Sequence, residues 1–211
     1  MNLDKPKVLI FDIDGVLIRI PHYFSQELKN RGYPKAIESL DSFFKDGENN
    51  KCLENKAKAE ELIVPFLKNF GWKNTAKNFF KQQFEFESEY LDKELILLIQ
   101  NFRNQEIKCY LGTDQEKNRA KFLLEEMKLA DSFDGYFISC FFGYRKCHDN
   151  FWTHVLTELK KELPKIKSNE IAFFDDIQNN VNVAASHGVQ AFLFTDMKKF
   201  EKDLLFLGLK D

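Results

Sequence analysis

Two aspartates one residue apart, Asp12 and Asp14, close the short apolar run Val8–Phe11 and are followed at once by Gly15. A buried strand that ends in carboxylates needs a cation beside it, either a metal or a basic side chain, because unpaired charge at the edge of a core is costly. Carboxylates so placed can attack an electrophile, carry a proton, or hold a hard divalent ion. Alone the pair is weak, since 33 acidic residues among 211 give about five acid-x-acid pairs by chance. Three further groups change its weight. Gly112-Thr113-Asp114-Gln115 follows an apolar run at 107–111, and Gly143-Tyr144-Arg145-Lys146 carries two cations. Asp175-Asp176 follows a second apolar run at 171–174, with Asn179 and Asn180 one helical turn later. Acid, hydroxyl, cation and acid thus recur at successive strand ends or neighbouring loops.

The elements that must position these groups follow from hydrophobic spacing. From residue 92 helix and strand alternate: helices at 95–102, 115–127, 150–163, 177–187 and 198–207, and strands at 107–111, 136–139, 171–174 and 191–194. Units of this length predict an α/β fold, a doubly wound parallel sheet covered on both faces. Ligands of such sheets bind beyond the carboxyl ends of the strands, where the strand order switches. Residues 18–87 contain no convincing strand. Their aromatic and aliphatic residues fall at helical spacing, with turns at Gly32-Tyr33-Pro34, Asp46-Gly47 and Gly71, and predict an all-helical insert of about four helices.

The motifs together resemble the haloacid dehalogenase superfamily of phosphohydrolases. Phe-Asp-Ile-Asp-Gly-Val-Leu is similar to its first motif, Leu-Gly-Thr-Asp to its second, Lys146 to its third, and Phe-Phe-Asp-Asp with Asn180 to its fourth. The resemblance covers 1–17 and about 88–211 as a catalytic core, and the segment 18–87 matches the family's helical cap in position and class. It implies a Rossmann-like sheet of order 5-4-1-2-3, in which Asp12, Asp14 and Asp176 converge. It further implies a magnesium-dependent phosphatase that hydrolyses a small phosphorylated metabolite through an aspartyl-phosphate. Asp12 is then the nucleophile, Asp14 the proton donor and acceptor, and Thr113 and Lys146 the groups that neutralise the transferring oxygens. Mg2+ falls to Asp12, the Asp14 main-chain carbonyl and Asp176, with Asp175, Asn180 and Asp114 in support. Asp114 and Cys147 depart from the family pattern, which more often has Asn and Pro there. Helix capping comes first as the role of Asp114, followed by pairing with Arg145 or Lys117, then contact with a cationic substrate. Thr113 equally suits a helix cap, as do Asp175 and Asp176, and Lys146 alone suits a solvated loop.

A phosphomutase or phosphotransferase of the same superfamily shares both aspartates, and a phosphate-binding protein without turnover shares the fold. The superfamily's dehalogenases lack the acid two positions after the nucleophile, so Asp14 favours phosphoryl chemistry. Response-regulator receivers are about half as long and place their acid pair before the phosphorylated residue. A net charge of −2 with interspersed signs argues against a nucleic-acid partner, and no apolar stretch is long enough for a membrane span. The polar start running into a strand predicts no signal peptide and a cytoplasmic location. Cys52, Cys109, Cys140 and Cys147 read as free thiols, and His22, His148, His154 and His187 lack mutual metal spacing. The 23 phenylalanines, alongside many Lys and Asn, fit a codon bias and imply no function. Arg19, Tyr23, Lys51 and Trp72 are candidate substrate contacts from the helical segment. The sequence leaves the oligomeric state and the natural substrate open.

Overall fold

The computed structural model describes residues 5–45 and 47–210, so Asp46, expected in a turn, lies outside the described residues. β1 (Val8–Phe11), β2 (Lys108–Thr113), β3 (Gly135–Ile138), β4 (Ile171–Asp175) and β5 (Gln190–Leu193) form one parallel sheet in the order β3-β2-β1-β4-β5. Read from the other edge this is the expected order, and the protein is an α/β fold with β1 between β2 and β4. Helices α1 (Phe24–Asn30), α2 (Ala36–Phe44), α3 (Glu48–Leu53), α4 (Ala59–Leu62), α5 (Val64–Asn69) and α6 (Ala76–Ser88) follow β1, and α7 (Lys93–Asn104) precedes β2. After β2, α8 (Lys117–Lys121) runs into a π-helical turn, Phe122–Glu126, and then α9 (Leu129–Ser132). α10 (Ser139–Phe142) and α11 (Asp149–Glu162) lie between β3 and β4, α12 (Gln178–Ser186) joins β4 to β5, and α13 (Met197–Phe206) follows.

A strand covered on both faces cannot alternate apolar with polar residues, which is why β1 and most of β4 are unbroken apolar runs. Successive side chains still point to opposite faces. Leu9, Phe11, Leu111 and Phe174 pack against α7 and α13 through Leu95, Ile99, Phe102, Phe200 and Leu204. Val8, Ile10, Tyr110 and Phe173 pack on the other side against Phe151, Trp152, Val155 and Leu159 of α11 and Ala184 of α12. The sheet is thereby held rigid between two apolar layers, and the ends of its strands become fixed points for polar groups.

α1 to α6 gather a third core of their own around Phe24, Leu28, Phe43, Ile63, Leu67, Phe79 and Phe84. Among the described residues this segment has six helices rather than about four. Pro65 in the first turn of α5 has no amide to donate back into α4, so the apolar run at 59–69 divides in two. The expected helix at 115–127 likewise begins later, at Lys117, and widens into the π-helical turn. Ser139 opens α10 instead of ending β3. The chain leaves and re-enters the sheet layer side by side: Ile18 bridges Leu91, the Asp92 amide donates to the Leu17 carbonyl at 2.8 Å, and the Arg19 amide donates to that of Tyr90 at 3.3 Å. The Arg19 guanidinium ties this ribbon to the Asp92 carboxylate and to the Val16 carbonyl.

Candidate active site

β1, β2 and β4 all end at the same edge, and the order switches there, since β2 and β3 build outward on one side of β1 and β4 and β5 on the other. Asp12 is 4% exposed; its amide donates to the Phe174 carbonyl at 3.0 Å, and its Oδ1 accepts from the Ile13 amide at 2.8 Å. The chain then turns sharply, with the amides of Leu17 and Ile18 both donating to the Ile13 carbonyl at 2.8 Å. Gly15 sits in this turn at φ +78°, and a Cβ there would overlap the Asp176 carboxylate. Glycine is therefore what lets the acids after β1 and β4 close on one another.

Lys146 is 2% exposed and reaches the site from the loop after α10. Its Nζ lies 2.5 Å from Asp12 Oδ2 and 2.7 Å from Asp175 Oδ2. The loop is pinned from both sides: Asp114 Oδ1 accepts the Lys146 amide at 3.0 Å, and Trp152 Nε1 donates to the Lys146 carbonyl at 3.1 Å. Burial alone would lower the ammonium, but Asp12, Asp175 and Asp114 overcome it and hold Lys146 charged, above its ordinary value. Burial raises the Asp12 carboxyl well above the usual range against the pull of Lys146, with Asp175 and Asp14 adding to the rise. Burial, then Asp175, does the same for Asp176.

Asp175 is wholly buried and saturated. Its Oδ1 accepts from the Ile177 amide at 2.8 Å and from Asn180 Nδ2 at 3.1 Å, while Oδ2 takes the lysine. Carboxylate oxygens of Asp12, Asp175 and Asp176 all lie within 4.8 Å of one another. Three hard oxygen donors of net negative charge, two of them raised by burial, fit a small divalent cation such as Mg2+. Because the contacts of Asp175 are already engaged, Asp12 and Asp176 are the carboxylates left to face an ion.

Asp14 points the other way and its side chain is 54% exposed. Gln115 Nε2 donates to Asp14 Oδ2 at 2.8 Å and to Thr113 Oγ1 at 3.0 Å, and Arg119 Nη2 reaches Asp14 Oδ1 at 2.6 Å. Since Thr113 Oγ1 accepts from Gln115, its own proton remains available for an oxygen placed between Thr113 and Asp12. Gln115, in the loop after β2, and Arg119, in α8, were not singled out in the sequence as site residues.

The capping role for Asp114 is overturned. Glu116 caps α8, accepting from the amides of Asn118 and Arg119 at 2.9 and 2.6 Å, while Asp114 pairs with Arg145 at 3.4 Å and fixes the Lys146 amide. Thr113 ends β2 and caps no helix either. Of the candidate substrate contacts, Arg19 lies in the ribbon, Tyr23 beneath Lys45, Lys51 with Glu48, and Trp72 in the aromatic core of the helical segment. All four cysteines are free, and burial pushes the Cys147 thiol up, the wrong direction for a nucleophile. His148 pairs with Glu54 and His187 with Asp149, while His154 stacks on Phe142. No helix among the described residues is long and apolar enough to cross a membrane.

A family model described as haloacid dehalogenase-like hydrolase matches residues 6–188. Among solved structures, the chain is similar to a protein described as a predicted HAD-like family hydrolase from Porphyromonas gingivalis, at TM-score 0.73 and 18% identity, over 98% of this chain and 100% of that one. It is similar to a HAD family enzyme from Bacteroides thetaiotaomicron in complex with magnesium and inorganic phosphate, at TM-score 0.69 and 18% identity, over 89% and 93%. It is also similar to the L-2-haloacid dehalogenase from Xanthobacter autotrophicus with chloropropionic acid covalently bound, at TM-score 0.63 and 14% identity, over 95% and 82%. Identities this low carry the fold alone. No curated protein matches the chain closely enough to count as a relative.

Proposed function

Because this chain belongs to the haloacid dehalogenase-like hydrolases, we propose that it is a magnesium-dependent phosphatase that hydrolyses a small phosphomonoester through an aspartyl-phosphate on Asp12. The observation that carries this reading is the pairing of buried Lys146 with Asp12 and Asp175 at the strand ends, with a second acid, Asp14, two residues beyond the first. Asp12 Oδ2 attacks phosphorus while its Oδ1 stays fixed by the Ile13 amide. Asp14 protonates the departing ester oxygen and then takes the proton of the water that hydrolyses the aspartyl-phosphate. Lys146 and the Thr113 hydroxyl neutralise charge on the transferring oxygens, a contribution that rests on positioning before reaction. Asp12, Asp176 and the Asp14 main-chain carbonyl would hold Mg2+, which when bound shields the phosphate from these carboxylates. Asp175, Asn180 and Asp114 act one step back, holding Lys146 and its loop.

The magnesium and inorganic phosphate in the Bacteroides thetaiotaomicron enzyme support this assignment, and residues 18–87 would form the cap that selects the substrate. A dehalogenase also shares the fold. The Asp14 carboxylate counts against that chemistry here, since expulsion of halide needs no proton donor. The test sets purified protein against a panel of phosphomonoesters and 2-haloacids, with magnesium and with EDTA. Phosphate release that needs magnesium, and is lost with Asp12→Asn together with any acid-stable phosphoenzyme, is the expected result. Halide release without phosphate release would refute it.

A further inference from the structure

Arg119 is the one buried cation near the site, among the described residues, that this mechanism leaves without a task. It is 8% exposed, in the first turns of α8, and its guanidinium is forked between two bodies. Nη2 lies 2.6 Å from Asp14 Oδ1, and Nη1 pairs with Oε2 of Glu87, near the end of α6. Glu87 is itself buried, and its other oxygen accepts from Gln83 Nε2 at 2.9 Å, so the carboxylate cannot turn away. The Arg119 Cζ sits 5.6 Å above the Phe84 ring, and Phe122, one turn further along, packs on the same ring at 5.6 Å. One arginine therefore touches the last helix of the helical segment and the acid beside the nucleophile.

A buried guanidinium shared by two carboxylates is stable only while both are in reach. Withdrawing Glu87 leaves a buried cation with a single partner, the half-exposed Asp14. Arg119 must then follow Glu87 or swing onto Asp14 alone. Either movement changes the aim of Asp14, because Oδ1 is held by Arg119 and only Oδ2 by Gln115. A lysine could not do this, since one ammonium on a flexible stem lacks the fork that spans two partners.

We propose that Arg119 is a positioning residue that, anchored by Glu87 of α6, aims the Asp14 carboxylate at the leaving oxygen, so that proton transfer depends on how the helical segment is seated. This rests on Asp14 being the proton donor of a phosphatase. The test compares kcat/KM, which covers the steps through departure of the alcohol, for p-nitrophenyl phosphate and for 2-glycerol phosphate. A nitrophenolate leaves without a proton, whereas an alkoxide needs one. Glu87→Gln keeps the shape and removes the charge; Arg119→Lys keeps the charge and removes the fork. Each is expected to lower kcat/KM for the glycerol ester tenfold or more and for the aryl ester less than threefold. In an Arg119→Met background, Glu87→Gln is expected to add less than twofold, because the route between Glu87 and Asp14 is already cut. Equal losses on both esters, or no loss in either single variant, would overturn the coupling while leaving the phosphatase reading intact. Absence of wild-type turnover on both esters would remove that reading and the coupling with it.

Discussion

Replacing Lys146 with Met tests the centre of the site most directly. Methionine keeps most of the stem beside Phe173, whose ring centroid is 6.0 Å from Nζ, and removes only the charge and its donors. At 2.5 and 2.7 Å each ion pair is worth about 6 kcal/mol at an effective dielectric of about 20. Desolvating three charges takes back most of that, and losing one partner of a buried pair leaves a net cost of about 3–5 kcal/mol. Urea unfolding in EDTA reads this directly: with a slope of about 2.5 kcal/mol/M the midpoint falls by about 1.5 M. The deficit depends on pH with a definite sign. Without the ammonium, the folded-state Asp12 carboxyl rises further above its unfolded value, so the penalty is full at neutral pH and shrinks as acid protonates Asp12. Magnesium at about 100 times its dissociation constant adds about 2.7 kcal/mol to any folded state that binds it, and it is expected to stabilise the variant more than the wild type. A loss below 1 kcal/mol in EDTA, or a deficit that grows as the pH falls, would refute this account of the cluster.

Three other outcomes are expected. Asp114→Asn keeps an acceptor for the Lys146 amide and should lower stability by less than about 1 kcal/mol, whereas Asp114→Ala strands that amide and should cost about 1–3 kcal/mol and most of kcat; equal effects in thermal melts would count against the pinned loop. Gly15→Ala forces a left-handed alanine, about 1–2 kcal/mol, and displaces the Asp176 carboxylate, so calorimetry should show magnesium affinity reduced at least tenfold; unchanged affinity would exclude Asp176 as a ligand. Burial would raise the Asp134 carboxyl, but the Cys109 amide at 2.9 Å, Lys108 and Arg103 hold it below the ordinary value. The stability it contributes, about 1 kcal/mol, is therefore present above about pH 4 and lost as the pH falls through the depressed value. The difference between wild type and Asp134→Asn should narrow as the pH falls, and a gap that does not narrow would contradict it.

Groups that chemistry places at strand ends were legible because a doubly covered parallel strand is an unbroken apolar run, and its end is where polar residues resume. The positions of Asp12, Thr113 and Asp175 follow from that boundary, whereas Lys146 was picked out only by the family resemblance, since alone it suits a solvated loop. Arg119 and Glu87 were not legible for the opposite reason. Each lies on a helix with an ordinary polar pattern, and Arg119 finds its partners 105 and 32 residues away in sequence, while Gln115 sits in the loop between β2 and α8 with no pattern to mark it. Asp114 was misassigned because α8 starts two residues later than its pattern implied, which passes the cap to Glu116. The helical segment was read in class but not in number, since a single proline divides a run whose apolar spacing is continuous.

The ribbon of Leu17, Ile18 and Arg19 against Tyr90, Leu91 and Asp92 has a bearing on how such a molecule can change over time. To the sheet, everything between those two crossings is a single loop whose ends are already clamped together. The entropy of closing a loop grows only with the logarithm of its length, by about 0.6 kcal/mol for each doubling. Helices could thus be lengthened, shortened or exchanged beyond the clamp while β1 and α7 stay where they are. The exception is α6, whose Glu87 pairs with Arg119 beside Asp14 and so must be inherited together with the strand ends.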